Sequence, residues 1–234
     1  VKNNESPSLS FIFNEKIVEG INSCIENDSF DWFLILRPGD EFTSQGLFTA
    51  LLSLVQANSH DAIYGDDIYK DSTGWLSSSF KPDFNLDLFL SLPEIMSKRW
   101  IFKREKLLSL GGFNTNYNNS FEFEYITRLI EVEGISSFAH IPESLFYTHK
   151  KNLENNEEEI LIIKQHLENR GYLNCNVITD LPGRYQICYM HKSKPMVSII
   201  IPTKDQLSIL QRCITSLLEN TKYFNYEIII VNNN

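Results

Sequence analysis

The chain has 234 residues, 42% of them hydrophobic and 22% charged, ordinary figures for a globular protein with room for one large core or two small ones. Its net charge of −9 argues against broad capture of DNA or RNA, so no nucleic-acid partner is expected, although a local basic pocket for a diphosphate is not excluded. Cys24, Cys175, Cys188 and Cys213 are scattered with no C-x-x-C pair, which predicts buried thiols of a reducing compartment rather than disulfides or a zinc site. No signal-peptide pattern opens the sequence, and no apolar run approaches the roughly 20 residues of a membrane span. The expected location is therefore the cytoplasm, with attachment to the inner face of the membrane left to other parts of a longer parent.

Strand and helix signals alternate along the chain, which predicts an α/β protein with a mixed, mainly parallel sheet. Leu9–Phe13 reads as a short strand and Glu15–Glu26 as a helix. Phe30–Leu36 reads as a buried strand stopped by Arg37-Pro38-Gly39-Asp40. Phe48, Leu51, Leu52 and Val55 recur at helical spacing. Asp61–Tyr64 is a short strand opening into an acidic turn, Gly65-Asp66-Asp67. Residues 74–100 suit a long loop with short elements. Helices follow over Lys103–Leu110, stopped by Gly111-Gly112, and over Phe121–Glu133, and Ser136–His140 is a strand. Asn152–Arg170 is a charged helix with Ile160, Ile163 and Leu167 on one face, and two short strands lie near Asn174–Thr179 and Arg184–Tyr189.

The clearest signal comes last. Met196–Ile201 is a continuous apolar run ended by Pro202-Thr203. Leu207, Leu210, Ile214, Leu217 and Leu218 share a helix face, and Tyr226–Val231 is a second buried strand before Asn232-Asn233-Asn234. Strand, helix, strand makes a βαβ unit, whose ligands bind at the carboxyl ends of the strands. No G-x-G-x-x-G follows either strand, which disfavours a dinucleotide-binding enzyme.

The tail SIIIPTKD…LLENTKYFNYEIIIVNNN resembles the N-terminal opening of family 2 glycosyltransferases of the GT-A type. FDWFLILRPGDE, AIYGDDIYKDSTG, FKPDFNLDLF, LLSLGGFN, FEFEYITRLIE, HIPESLFY and GRYQICY resemble later parts of the same family, in the right relative order. The nearest subgroup is the tandem-domain enzymes of bacterial polysaccharide synthesis. The resemblance implies a GT-A-like nucleotide-diphospho-sugar transferase fold with its pieces in rotated (permuted or truncated) order. Residues 1–150 would be the C-terminal two-thirds of one domain, 151–195 a connector, and 196–234 the start of the next repeat. Val1-Lys2-Asn3-Asn4 and Val231-Asn232-Asn233-Asn234 fit the same point in two successive repeats, and the tail could complete the sheet in cis or in a domain-swapped dimer.

The resemblance further implies an inverting enzyme with a nucleotide-sugar donor, UDP- or dTDP-linked, and a saccharide or lipid-linked saccharide acceptor. A degenerate module that only binds or scaffolds is the competing reading. The family holds a divalent metal (Mn or Mg) with D-x-D, and here that position is Arg37-Pro38-Gly39-Asp40. Asp40 is the surviving metal candidate, with a turn that satisfies backbone N–H groups as the alternative. Arg37 is a candidate phosphate-binding cation, and Asp66, Asp67 and Lys81 are candidates for the donor sugar or phosphate. Glu122 takes the place of the catalytic base, and Glu124 and Arg128 are spaced to pair. Pro202, Thr203, Asp205, Asn232 and Asn233 fall at the nucleotide end, with Asn232 where the family usually has Asp.

Overall fold

The computed structural model describes residues 16–56, 59–149, 152–190 and 193–233. The expected strand Leu9–Phe13 and the Val1–Asn4 match lie outside them, as does Asn234. The chain divides into two compact units, Val1–Tyr189 and Met190–Asn234.

The first unit runs α1 (Ile17–Asn27), β1 (Trp32–Leu34), β2 (Glu41–Phe42), α2 (Gly46–Gln56), β3 (Ala62–Lys70), β4 (Leu76–Ser79), α3 (Leu86–Ser91), α4 (Pro93–Met96), β5 (Ile101–Lys103), α5 (Arg104–Ser109), α6 (Phe121–Glu133), β6 (Phe138–His149), α7 (Glu157–Asn169), β7 (Asn176–Leu181) and β8 (Arg184–Cys188). Strands β1-β5-β3-β6-β2 form a mixed sheet in that order, with β4 also paired to β3. Only β3 and β6 run parallel in it, joined by the long helical crossover that parallel neighbours require. The other pairings are antiparallel, a larger antiparallel share than alternating strands and helices alone predict.

The expected acidic turn at 65–67 is instead the middle of β3. The strand continues to Lys70 through a bulge at Gly65–Asp67 against β6, which interrupts the alternation of side chains across the sheet. Gly65 is required there, because a Cβ would lie 2.5 Å from the Leu145 side chain.

Alternate residues of β3 and β5 feed two apolar clusters on opposite faces. Tyr64, Trp100 and Phe102 join Phe89, Phe123 and Tyr125 in the larger one, where Trp100 stacks on Tyr64 at 4.6 Å between ring centroids. Ile63 and Ile101 join Ala50, Leu145 and Phe146 in the smaller. Each fully buried Ile, Leu or Phe side chain among these contributes roughly 1.5–3 kcal/mol. Helix α2 covers the smaller cluster through Ala50 alone among its fully buried apolar side chains, and Leu47, Phe48, Leu51, Leu52 and Val55 stay exposed.

The segment expected as a connector is packed into this unit over residues 152–189. Ile162, Ile163 and Leu167 of α7 and Tyr185 of β8 belong to the larger core. Asn156 caps α7 by accepting from Glu158 N–H. The Glu158 carboxylate in turn accepts from the N–H groups of Asn118, Asn119 and Ser120 at 2.9–3.0 Å. It thereby fills the electropositive start of α6.

The second unit is β9 (Val197–Thr203), α8 (Leu207–Asn220) and β10 (Tyr226–Asn232). The two strands pair in parallel, from Tyr226 opposite Val197 to Asn232 opposite Thr203.

Candidate functional site

The turn at Arg37–Asp40 borders a cavity of about 220 Å³. Pro38 and Gly39 occupy its central positions, Gly39 at φ +94°, the left-handed conformation that Gly adopts without strain. Asp40 N–H donates to Arg37 C=O at 2.9 Å, and Arg37 N–H donates back to the Asp40 carboxylate at 3.0 Å. The His149 ring packs on this turn, 3.2 Å from where a Gly39 Cβ would stand. Around the cavity stand Arg37, Asp40, Glu94, Arg99, His149 and Arg184. Arg37 donates to Glu94 at 3.0 Å, both side chains about one-third exposed.

Behind this wall lies a buried charge network. Arg99 donates two hydrogen bonds to Asp67, at 3.1 and 2.9 Å, and its third nitrogen is 3.9 Å from Asp40. Lys81 Nζ meets Asp67 at 2.8 Å and donates to Gly65 C=O at 2.8 Å. The Asp66 carboxylate accepts from Lys81 N–H at 2.9 Å and faces His140 Nε2 at 3.1 Å. Asp67 is fully buried and Asp66, Lys81 and Arg99 nearly so, a placement that charged groups tolerate only when paired. Burial pushes the Lys81 pKa down against the pull of Asp67. Burial opposes the Arg99 charge as well, but its bonds and proximity to Asp67 raise its pKa overall. Arg99 has a left-handed backbone, φ 60°, strain of about 1–3 kcal/mol that the network supports.

The sequence expectations for these residues therefore change. Asp66, Asp67 and Lys81, expected as candidates for the donor sugar or phosphate, are engaged in internal pairs. Asp40 closes its own turn, as the alternative reading proposed, and faces a guanidinium. A divalent metal fits this arrangement poorly. Among the described residues no group of three or more His, Cys, Asp or Glu side chains is placed to hold one.

Glu122 sits in the first turn of α6, buried, with one carboxylate oxygen 3.4 Å from Lys98 Nζ. Its other oxygen has no hydrogen-bond partner. The expected pair of Glu124 and Arg128 is present as two bonds of 3.0 Å, and Arg128 also clamps the Gly112 carbonyl at 2.8 Å. His140 stacks on Tyr64 and also bridges Asp66 and Asp83.

In the second unit the five expected nucleotide-end residues cluster at the carboxyl ends of β9 and β10. Pro202 lies opposite Val231 and Thr203 opposite Asn232. Asn233 N–H donates to Thr203 C=O at 2.9 Å, and Asp205 adopts φ 48° in the turn that follows.

Three charged cavity residues, Glu94, Arg99 and Arg184, escaped the sequence reading. Glu94 is in α4 and Arg184 in the β7–β8 hairpin, segments read as loop and connector. Only the turn residues Pro182-Gly183 beside Arg184 signalled a chain reversal there.

Residues 198–234 match the family described as glycosyl transferase family 2. Two relatives extend the similarity across the chain. O-antigen biosynthesis protein RfbC of Myxococcus xanthus is 26% identical over 232 residues, covering 92% of this chain and 18% of that protein. Uncharacterized protein y4gI of Sinorhizobium fredii (strain NBRC 101917 / NGR234) is 25% identical over 245 residues, covering 98% of this chain and 27% of that protein. The chain thus spans well under a third of either relative. Among solved structures, a mycobacterial protein overlaps 76% of this chain and 61% of its own, with a TM-score of 0.38 and 10% identity. The mixed α/β architecture is consistent with the GT-A-like fold that the family match implies.

Proposed function

We propose that the chain is a glycosyltransferase module that moves a sugar from a nucleotide-diphosphate donor to a saccharide or lipid-linked saccharide acceptor in bacterial surface polysaccharide synthesis. The observation that carries this reading is the family 2 match at 198–234, supported by similarity over nearly the whole chain to a protein named for O-antigen biosynthesis. In the transfer, the bond from the anomeric carbon to the donor phosphate breaks and the diphosphate leaves with the electron pair. The acceptor oxygen bonds the anomeric carbon and gives its proton to a carboxylate, with inversion implied by the family resemblance. Glu122 is the candidate base by the resemblance, and in this structure both its oxygens are buried, one facing Lys98. Pro202, Thr203, Asp205, Asn232 and Asn233 are the candidate nucleotide contacts. The proposed location is the cytoplasm. Among the described residues no helix is long and apolar enough to cross a membrane. A dimer that exchanges second units is the proposed assembly, and light scattering at twice the chain mass tests it.

One observation favours a second reading, a module that binds without catalysis. Asp67, Lys81 and Glu122 are all engaged in buried ion pairs. Calorimetry with UDP and dTDP, followed by a release assay with UDP- and dTDP-sugars, separates the two. Binding with sugar transfer or slow donor hydrolysis supports the enzyme, and binding with neither supports the second reading. Failure to bind any nucleoside diphosphate overturns the enzyme and leaves only a scaffolding role.

A further inference from the structure

The cavity beside the Arg37–Asp40 turn has a sign of charge that its sequence motif does not suggest. Three guanidiniums, of Arg37, Arg99 and Arg184, line it against two carboxylates, of Asp40 and Glu94. Both carboxylates are already engaged. Glu94 accepts from Arg37, and Asp40 accepts from the Arg37 backbone and faces Arg99. Behind the wall Lys81 and Arg99 meet Asp67, and Asp66 accepts from the Lys81 backbone N–H and faces His140. Arg184, exposed at the rim on the β7–β8 hairpin, forms no ion pair with any described residue. Among the lining side chains alone the guanidiniums outnumber the carboxylates, and an anion meets planar N–H donors that match phosphate oxygens in pairs.

Size narrows the ligand. At about 220 Å³ the cavity is smaller than the roughly 300–1,000 Å³ of sites that enclose a whole drug-sized ligand. It suits a compact polyanion. The shape is also prepared in advance. The turn is closed by two internal hydrogen bonds and Arg99 is held by Asp67, so these two parts lose little freedom on binding, while the exposed Arg184 is ordered by the ligand.

We propose that this cavity binds a diphosphate group directly through Arg37, Arg99 and Arg184, with no divalent metal between ligand and protein. The identity of the ligand rests on the glycosyltransferase reading, in which the guanidiniums take up the charge of the departing diphosphate. The sign and location of the site do not depend on it.

The test is calorimetric titration of the full chain with inorganic pyrophosphate, in EDTA and in manganese, for the parent, Arg184→Gln and Arg37→Gln. Binding in EDTA at least as tight as in manganese is expected, weakened about tenfold or more by each substitution, as for loss of a charge-assisted contact. Arg184 is exposed, so an unchanged urea midpoint in Arg184→Gln shows that any loss of binding is local. Binding that requires manganese, binding indifferent to both substitutions, or no binding overturns the proposal. UDP binding that depends on manganese would leave the glycosyltransferase reading standing while this inference fails. Metal-free pyrophosphate binding without any nucleotide binding would do the reverse.

Discussion

Asp67 lies between two buried cations, Lys81 at 2.8 Å and Arg99 at 2.9 Å, and neutralising it leaves both without a full counter-charge where water does not reach. Asp67→Asn is expected to lower the stability of the first unit by about 3–5 kcal/mol. All three tryptophans, Trp32, Trp75 and Trp100, belong to that unit, so urea unfolding followed by tryptophan fluorescence reads it directly. A loss below about 1 kcal/mol would mean that the pair is solvated. His166 provides a pH test. Burial pushes its pKa below the ordinary 6.5, against the opposing bond to Glu131 and with a smaller lowering from Arg170. The unfolded chain therefore takes up this proton first as pH falls. Stability from neutral His166 is present above pH 6.5 and is lost below it, toward the native pKa. His166→Gln should flatten that part of the stability profile in urea titrations between pH 7.5 and 5. Neither buried group was legible as such in the sequence. Adjacent aspartates after a glycine have the composition of a turn, and the partner Arg99 stands 32 residues away. The bulge that lets both carboxylates meet Lys81 is a property of strand pairing, which no local pattern carries.

Helices and strands were largely legible where their apolar spacing was strong. Phe121–Glu133 is helical over the expected range, and the second unit follows its predicted order. Helix α7 shows what spacing leaves open. Of its expected apolar face Ile163 and Leu167 are buried, with Ile162 beside them and Ile160 partly so, but whether that face meets a core or links two modules depends on contacts distant in sequence. Its two sides give a comparison. Ile163 is fully buried in the larger core while Leu161 is 57% exposed. Ile163→Ala is expected to destabilise the first unit by about 2–5 kcal/mol, and Leu161→Ala to stay within about 0.5 kcal/mol. Equal effects in urea unfolding would show that α7 is not docked as described. The cavity was half legible for the same reason. Arg37 and Asp40 are adjacent to a visible breaker, but Glu94, Arg99 and Arg184 reach it only through the packing of α4 and the β7–β8 hairpin.

The molecule as a whole is two units of unequal means. The first has two apolar clusters about a mixed sheet. The second has one parallel strand pair and a helix with no buried residue, and two strands with so little covering are marginal alone. A peptide of residues 190–234 is expected to be mostly unstructured by circular dichroism in buffer, and a cooperative thermal transition in it would contradict this. Helix α2 has a consequence of another kind. Its outward row of Leu47, Phe48, Leu51, Leu52 and Val55 is an apolar stripe larger than scattered surface residues make. At low ionic strength the charge of −9 keeps molecules apart. Added salt screens that repulsion, and sulfate strengthens apolar association as well. The stripe on α2 therefore contributes to the salting-out threshold of the folded chain, and a charge placed at Leu51 would raise it.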